Sequence, residues 1–137
     1  MSTQHWLVKS EPTKYAYADL ARDGCTVWDG VRNNAAALHL KAMRLGQPVL
    51  YYHSQEGLAV VGVAEVVREA FLDPSDPAGR FVAVELAASR ALPRAVTLAE
   101  MKANAALAQM AMLRQSRLSV SPVTAEEWAE ILRMAGE

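Results

Sequence analysis

LAVVGVAEVV, residues 58–67, is apolar at nearly every position. A strand with one wet face alternates apolar and polar residues, so a run without alternation predicts a strand buried on both faces. Such a strand belongs inside a closed or nearly closed barrel. VLYYH (49–53) precedes it as another strand, and FVAVELA (81–87) follows with clean alternation. DPSDPAGR (73–80), with two Asp-Pro pairs and a glycine, supplies the turn between the second and third of these strands.

Further out, HWLVK (5–9) reads as a first strand ended by Pro12, which also holds Glu11 extended. YADLARDG (17–24) reads as a short helix closed by Gly24. A second helix is predicted over 33–45, with Ala35, Leu38 and Ala42 on one stripe and Ala36, Leu40 and Met43 on the next. Gly46 and Pro48 stop it. The remainder reads as helical. Thr97 with Glu100, and Thr124 with Glu127, form two capping boxes, flanked by Val96–Met101 and Val123–Trp128 staples. The last helix presents Trp128, Ile131, Leu132 and Ala135 as its apolar face. Strand, helices, three strands, helices is the order of a small α+β barrel with antiparallel pairing.

The 137 residues fit one domain, 1–137, and a composition 52% hydrophobic and 21% charged is that of a globular chain. No run reaches the roughly 20 apolar residues of a membrane span, and no basic-then-apolar leader is visible at the N-terminus. Cys25 is the single cysteine, which predicts a reducing, cytoplasmic setting without an internal disulfide. The formal charge of −1 argues against unspecific coating of nucleic acid. Four acids crowd into residues 126–137, however, and leave the first 125 residues at +2. That allows a local basic site.

Four segments combine polar residues that core packing does not require: KSEP (9–12), WDGVRN (28–33), YYHS (51–54) and RQSRLSV (114–120). Each falls at a strand end or helix start, where functional side chains are usually mounted. Lys9, Glu11, His53 and Ser54 could serve as acid, base or nucleophile, but nothing pairs them. His53 and Ser54, adjacent on a strand, point to opposite faces. His5, His39 and His53 are scattered and form no metal-ligand cluster, and the glycines form no phosphate loop. No cofactor is expected.

Binding fits better. Trp28, Tyr52 and Tyr51 offer aromatic faces. Lys9, Arg32, Arg114 and Arg117 offer cations for phosphates. Ser10, Asn33, Ser54 and Ser119 offer hydrogen bonds. An aromatic face with a few fixed polar groups is what a flipped-out base requires. Each residue also has a plainer role open to it. Trp28 and one of the two tyrosines could be core, Asp29 could cap the Gly30 turn, and Arg32 could pair with Asp29 or Glu11. Arg117 could anchor the chain before a turn at SVSPV.

WLVKSEP (6–12), WDGVRN (28–33), YYHS (51–54), VVGVAEV (60–66) and LRQSRLSVSPV (113–123), in this order, resemble the EVE domain of the PUA-like superfamily, which also holds YTH and ASCH domains. The resemblance runs from Trp6 to about Leu132. It implies a PUA-like pseudo-barrel of mainly antiparallel strands wrapped by helices, acting on DNA or RNA with a modified base, notably modified cytosine, flipped into a pocket. By motif, Lys9, Ser10 and Glu11 would line one wall, Trp28, Gly30, Val31, Arg32 and Asn33 a second, and Tyr52, His53 and Ser54 a third. Arg117 and Ser119 would lie nearby. A monomeric, non-enzymatic module is expected, without membrane or metal partners. The alternatives are an enzyme of RNA or nucleotide metabolism using Lys9, Glu11 or His53, and a pocket for a free nucleobase or nucleotide. Two departures stand out. The family commonly follows GVRN with an aromatic residue and Gln-Ala-Arg, where this chain has Asn34, Ala35, Ala36 and Ala37. The segment after Pro74 is also short and lacks the tryptophan usual there.

Overall fold

In the computed structural model, which describes residues 4–137, the run at 58–67 is the first part of a long strand. We number it β4 (Ala59–Leu72). Before it come β1 (His5–Ser10), α1 (Pro12–Tyr15), α2 (Tyr17–Asp23), β2 (Cys25–Trp28), α3 (Asn34–Ala42) and β3 (Pro48–His53). After it come β5 (Val82–Thr97), α4 (Leu98–Lys102), a 3-10 turn (Ala105–Leu107), α5 (Ala111–Arg114), β6 (Val120–Val123) and α6 (Ala125–Met134). Among the described residues the strands form one sheet in the order β2-β5-β4-β3-β1-β6.

Pairing is antiparallel except between β1 and β3, which run parallel. The expected antiparallel character therefore holds with that one exception. The parallel register sets Lys9 beside Tyr52 and Ser10 beside His53, so the C-terminal ends of two segments singled out in the sequence lie side by side.

Apolar residues fill both faces of the central strands, as the unbroken run predicts. On one face Trp6, Val8, Tyr51, Leu86 and Val120 pack with Leu20 of α2 and Leu40 of α3. On the other, Leu7, Leu50, Tyr52, Val60 and Val63 pack with Met101 of α4, Met112 of α5 and Ile131 of α6. The edge strands β2 and β6 do not hydrogen-bond to each other. Helix α3 instead touches β6 at one end of the sheet and β5 and β4 towards the other. A flat sheet could not offer both ends to one helix, so the sheet is curled. The result is the α+β, PUA-like pseudo-barrel expected, with α3 closing its seam.

Gly62 of β4 is a packing requirement. A Cβ there would fall on the Tyr17 ring, whose hydroxyl donates to the Val63 carbonyl at 2.8 Å.

Several expectations need correction. The helix predicted over 33–45 stops at Ala42, because Met43 turns extended and is fully buried while the Gln47 side chain accepts from Arg44 N–H and from the Trp6 indole. Its Ala36–Leu40–Met43 stripe is the buried one; Ala35, Leu38 and Ala42 face outward. The region after residue 87 is not all helical. β5 continues to Thr97, and the supposed turn at SVSPV is strand β6, with Pro122 tolerated at the sheet edge. Strand β2 was unforeseen. Both capping boxes are present, with Thr97 and Thr124 accepting from the backbone N–H of Glu100 and Glu127. No helix among the described residues is long and apolar enough to cross a membrane.

Candidate functional site

The curl brings the ends of β1 and β2 together although three strands separate them in the sheet. Between them opens a cleft of about 760 Å³. Lys9, Ser10 and Glu11 form one wall, Trp28, Gly30, Val31 and Arg32 a second, and Ser54, Arg117 and Ser119 the rest. Three of the four polar segments read from sequence, with one residue of the fourth, thus meet at one place. Lys14, Tyr15, Thr26, Val27, Asp29, Gln55 and Ser116 complete the lining. The cleft has four cationic residues against two acidic ones, in a chain whose formal charge is −1.

Each wall is held by hydrogen bonds. Lys9 Nζ donates to the Ser116 carbonyl at 2.8 Å and lies 5.8 Å over the Tyr52 ring. Burial lowers the Lys9 pKa. Lys9 N–H donates to the Ser119 carbonyl at 3.0 Å, and Ser54 N–H to the Ser10 carbonyl at 2.9 Å. The hydroxyls of Ser10 and Tyr51 both donate to the Tyr15 carbonyl, at 2.7 and 2.6 Å. Burial pushes the Tyr51 phenol up to about 12, so it remains a donor at neutral pH. Glu11 precedes α1 and pairs with Lys14 at 3.5 Å. Trp28 is half-buried. It packs edge-on against Tyr51, with centroids 5.5 Å apart, and also lines the cleft. It belongs to the core and to the cleft wall alike.

Asp73 fixes the second wall. Its side chain is fully buried. It accepts from Gly30 N–H at 2.8 Å, from Arg32 at 3.0 Å, and from Ser75 N–H and O–H at 2.7 and 2.6 Å. Burial alone would raise the Asp73 carboxyl; the donors from Ser75, Gly30 and Arg32 outweigh it and hold the pKa at about 2. Gly30 takes φ +75°, a conformation that suits glycine. Asp73, rather than Asp29, therefore secures the Gly30 turn. It is also the partner of Arg32, in place of Asp29 or Glu11. Arg32 further donates to Ser75 Oγ at 3.0 Å and lies 5.2 Å over Phe81.

Four expected site residues lie outside the cleft lining. Tyr52 is 3% exposed, in the core with Leu7 and Leu50. His53 is engaged beside the cleft rather than in it: its Nε2 accepts from Tyr17 N–H at 3.0 Å, its ring packs edge-on on Tyr51, and burial lowers its pKa. Asn33 caps α3, accepting from Ala36 N–H at 2.9 Å. Arg114, exposed at the end of α5, donates to Gln109 at 3.1 Å. Ser116 was within reach of the sequence, since it sits inside RQSRLSV. Asp73 gave no separate signal, being read as turn chemistry. Among the described residues no group of three or more His, Cys, Asp or Glu is placed to hold a metal.

Comparison with known proteins agrees with this architecture. The EVE domain family model matches residues 4–134. Human thymocyte nuclear protein 1 is 30% identical, over 96% of this chain and 74% of its own length; the zebrafish protein, Danio rerio, is 31% identical, over 99% and 74%. A solution structure of a Rhodopseudomonas palustris protein superposes with a TM-score of 0.92 at 49% identity, covering 97% of this chain and 93% of that one. The human THYN1 protein in complex with DNA containing 5-methylcytosine superposes with a TM-score of 0.91 at 30% identity, covering 98% and 99%. A Zygosaccharomyces rouxii YTH domain, solved with N6-methyladenosine RNA, shares the fold at a TM-score of 0.62 and 17% identity, over 96% of this chain and 86% of that one. The chain belongs to the EVE domain family.

Proposed function

We propose that this chain is a non-enzymatic nucleic-acid-binding module that takes a modified base, 5-methylcytosine or a close relative, flipped out of DNA or RNA into the cleft. The observation that carries this reading is the lining of the cleft. Two aromatic side chains, Trp28 and Tyr15, stand among small hydroxyl groups and a surplus of cations, in a chain that is otherwise slightly acidic. The volume suits a nucleotide-sized ligand. Trp28 offers a stacking surface. Ser10, Glu11 and Ser54 offer donors and acceptors for a base edge, and Val27 and Val31 offer apolar contact to a methyl group. Arg117 makes no ion pair or side-chain hydrogen bond among the described residues and is available to a phosphate. The complex of the human relative with 5-methylcytosine DNA supports the same ligand class.

The hydrolytic alternative loses its histidine, because His53 is outside the cleft and already accepts a backbone proton. The test is a fluorescence-anisotropy titration of a 15-mer carrying one 5-methylcytosine against its unmodified twin. Preference for the modified strand that disappears in Trp28→Leu supports the reading. Equal affinity for both strands sinks it, and cleavage of either strand revives the enzyme.

A further inference from the structure

The cleft does not end at Arg117. A smaller groove, of about 350 Å³, shares Ser116 and Arg117 with it and passes between Arg114 and the start of α3 at Asn33 and Ala35. We infer that this groove carries the sugar-phosphate backbone of the strand whose base enters the cleft. The ligand is then a strand extending past the bound base, not a free nucleotide. This rests on the base-binding reading above.

The electrostatics of the groove point to a phosphodiester. Two guanidiniums line it and no carboxylate does. Elsewhere Arg22, Arg32, Arg90, Arg94 and Arg133 each hold an acidic partner, and Arg44, Arg68 and Arg80, which form no ion pair among the described residues, lie outside both the groove and the cleft. Arg114 donates only to the neutral Gln109 amide, and Arg117 has no such partner among the described residues. Two neighbouring cations left unneutralised are favourable where an anion will sit between them.

The backbone of α3 adds to the same field. Asn33 satisfies only Ala36 N–H with its side chain, so the amides of Asn34 and Ala35 have no intrahelical acceptor. The first turn of this nine-residue helix carries no acid to offset its positive end. Sterically, Ala35 presents only a methyl group to the groove, which leaves room for a sugar. The ligand is a strand because the groove continues past those cations to Asn33 and Ala35, a stretch that a mononucleotide, with its single phosphate between the two guanidiniums, would leave empty.

The test compares 5-methyl-dCMP with a single-stranded DNA pentamer carrying a central 5-methylcytosine, on wild type, Arg114→Ala and Ala35→Glu. The pentamer should bind wild type at least tenfold more tightly than the mononucleotide. Arg114→Ala should cut that ratio several-fold and lower the log affinity against log salt slope by about 0.7. Ala35→Glu should cut the ratio at least tenfold while its melting temperature holds or rises, since an acid in a first helical turn is favourable. That separates lost binding from lost folding. If the mononucleotide binds but the pentamer gains nothing, or its gain survives both variants, the groove is not the strand path and the base reading stands. If neither ligand binds, both fall together.

Discussion

Asp73 and Arg32 are 41 residues apart in the chain and 3.0 Å apart in space, and through this pair the β4–β5 turn holds one wall of the cleft. The carboxylate also takes Gly30 N–H, so its loss frees both the backbone and the guanidinium of WDGVRN. Asp73→Asn should cost about 1.5–3 kcal/mol, the range for hydrogen bonds to a buried charge. It should also change the acid limb of stability. The folded pKa of Asp73, about 2, lies below its ordinary 3.8, so its contribution is complete above pH 3.8 and disappears as pH falls through about 2. Thermal melts from pH 5 to pH 2 should show the variant less stable at pH 5 and flatter below pH 4 than wild type.

His53 should behave as a structural, neutral imidazole. Its Nε2 accepts from Tyr17 N–H, a bond that protonation would break, and burial lowers its pKa below the ordinary 6.5. As pH falls below 6.5 the unfolded chain takes up the proton first, so the stability His53 confers is largest above that pH and declines below it. His53→Ala should cost about 1–3 kcal/mol at pH 7, through the lost hydrogen bond and the lost edge contact with Tyr51. Urea unfolding at pH 7 and pH 5 should show a smaller cost at pH 5.

Gly62→Ala tests the close packing of α2 on the barrel. The added methyl would collide with the Tyr17 ring, which is nearly buried and fixed by its hydroxyl bond to Val63. Overpacking of this kind costs about 1–3 kcal/mol. In the Tyr17→Leu background the same substitution should cost much less, because the ring it strikes is gone. Chemical denaturation of the two singles and the double measures that coupling.

What the sequence could and could not disclose follows from the range of the interactions involved. Thr97 with Glu100 and Thr124 with Glu127 are local, three residues apart, and both helix starts were legible. The apolar run at 58–67 carries its own burial signal. Strands β2 and β6 have four residues each, and pairing with β5 and β1 stabilises them, so neither carries a signal of its own. The same limit applied to the site. Alternation showed that Tyr51 and Tyr52 face opposite ways, but which side held the cleft depended on the curl of the sheet. Asn33 looked like a base reader because a capping residue has the same chemistry as one. Asp73 was hidden by turn chemistry that was itself read correctly.

Trp28 and Tyr52 are two of the three rings the sequence offers for stacking, and the structure separates them. Trp28 lines the cleft, whereas Tyr52 lies in the opposite core beneath the Lys9 ammonium. Trp28→Leu retains apolar contact with Tyr51 while removing the stacking surface. If a base sits in the cleft, this variant should bind a 5-methylcytosine 15-mer about 5- to 150-fold more weakly, equivalent to about 1–3 kcal/mol. Tyr52→Phe changes a buried hydroxyl only, and should leave both affinity and preference for the modified strand within about twofold. Anisotropy titrations at a temperature where circular dichroism shows both variants folded make the comparison. A loss in Tyr52→Phe equal to that in Trp28→Leu would instead assign a ligand contact to the Tyr52 hydroxyl, since phenylalanine keeps the ring.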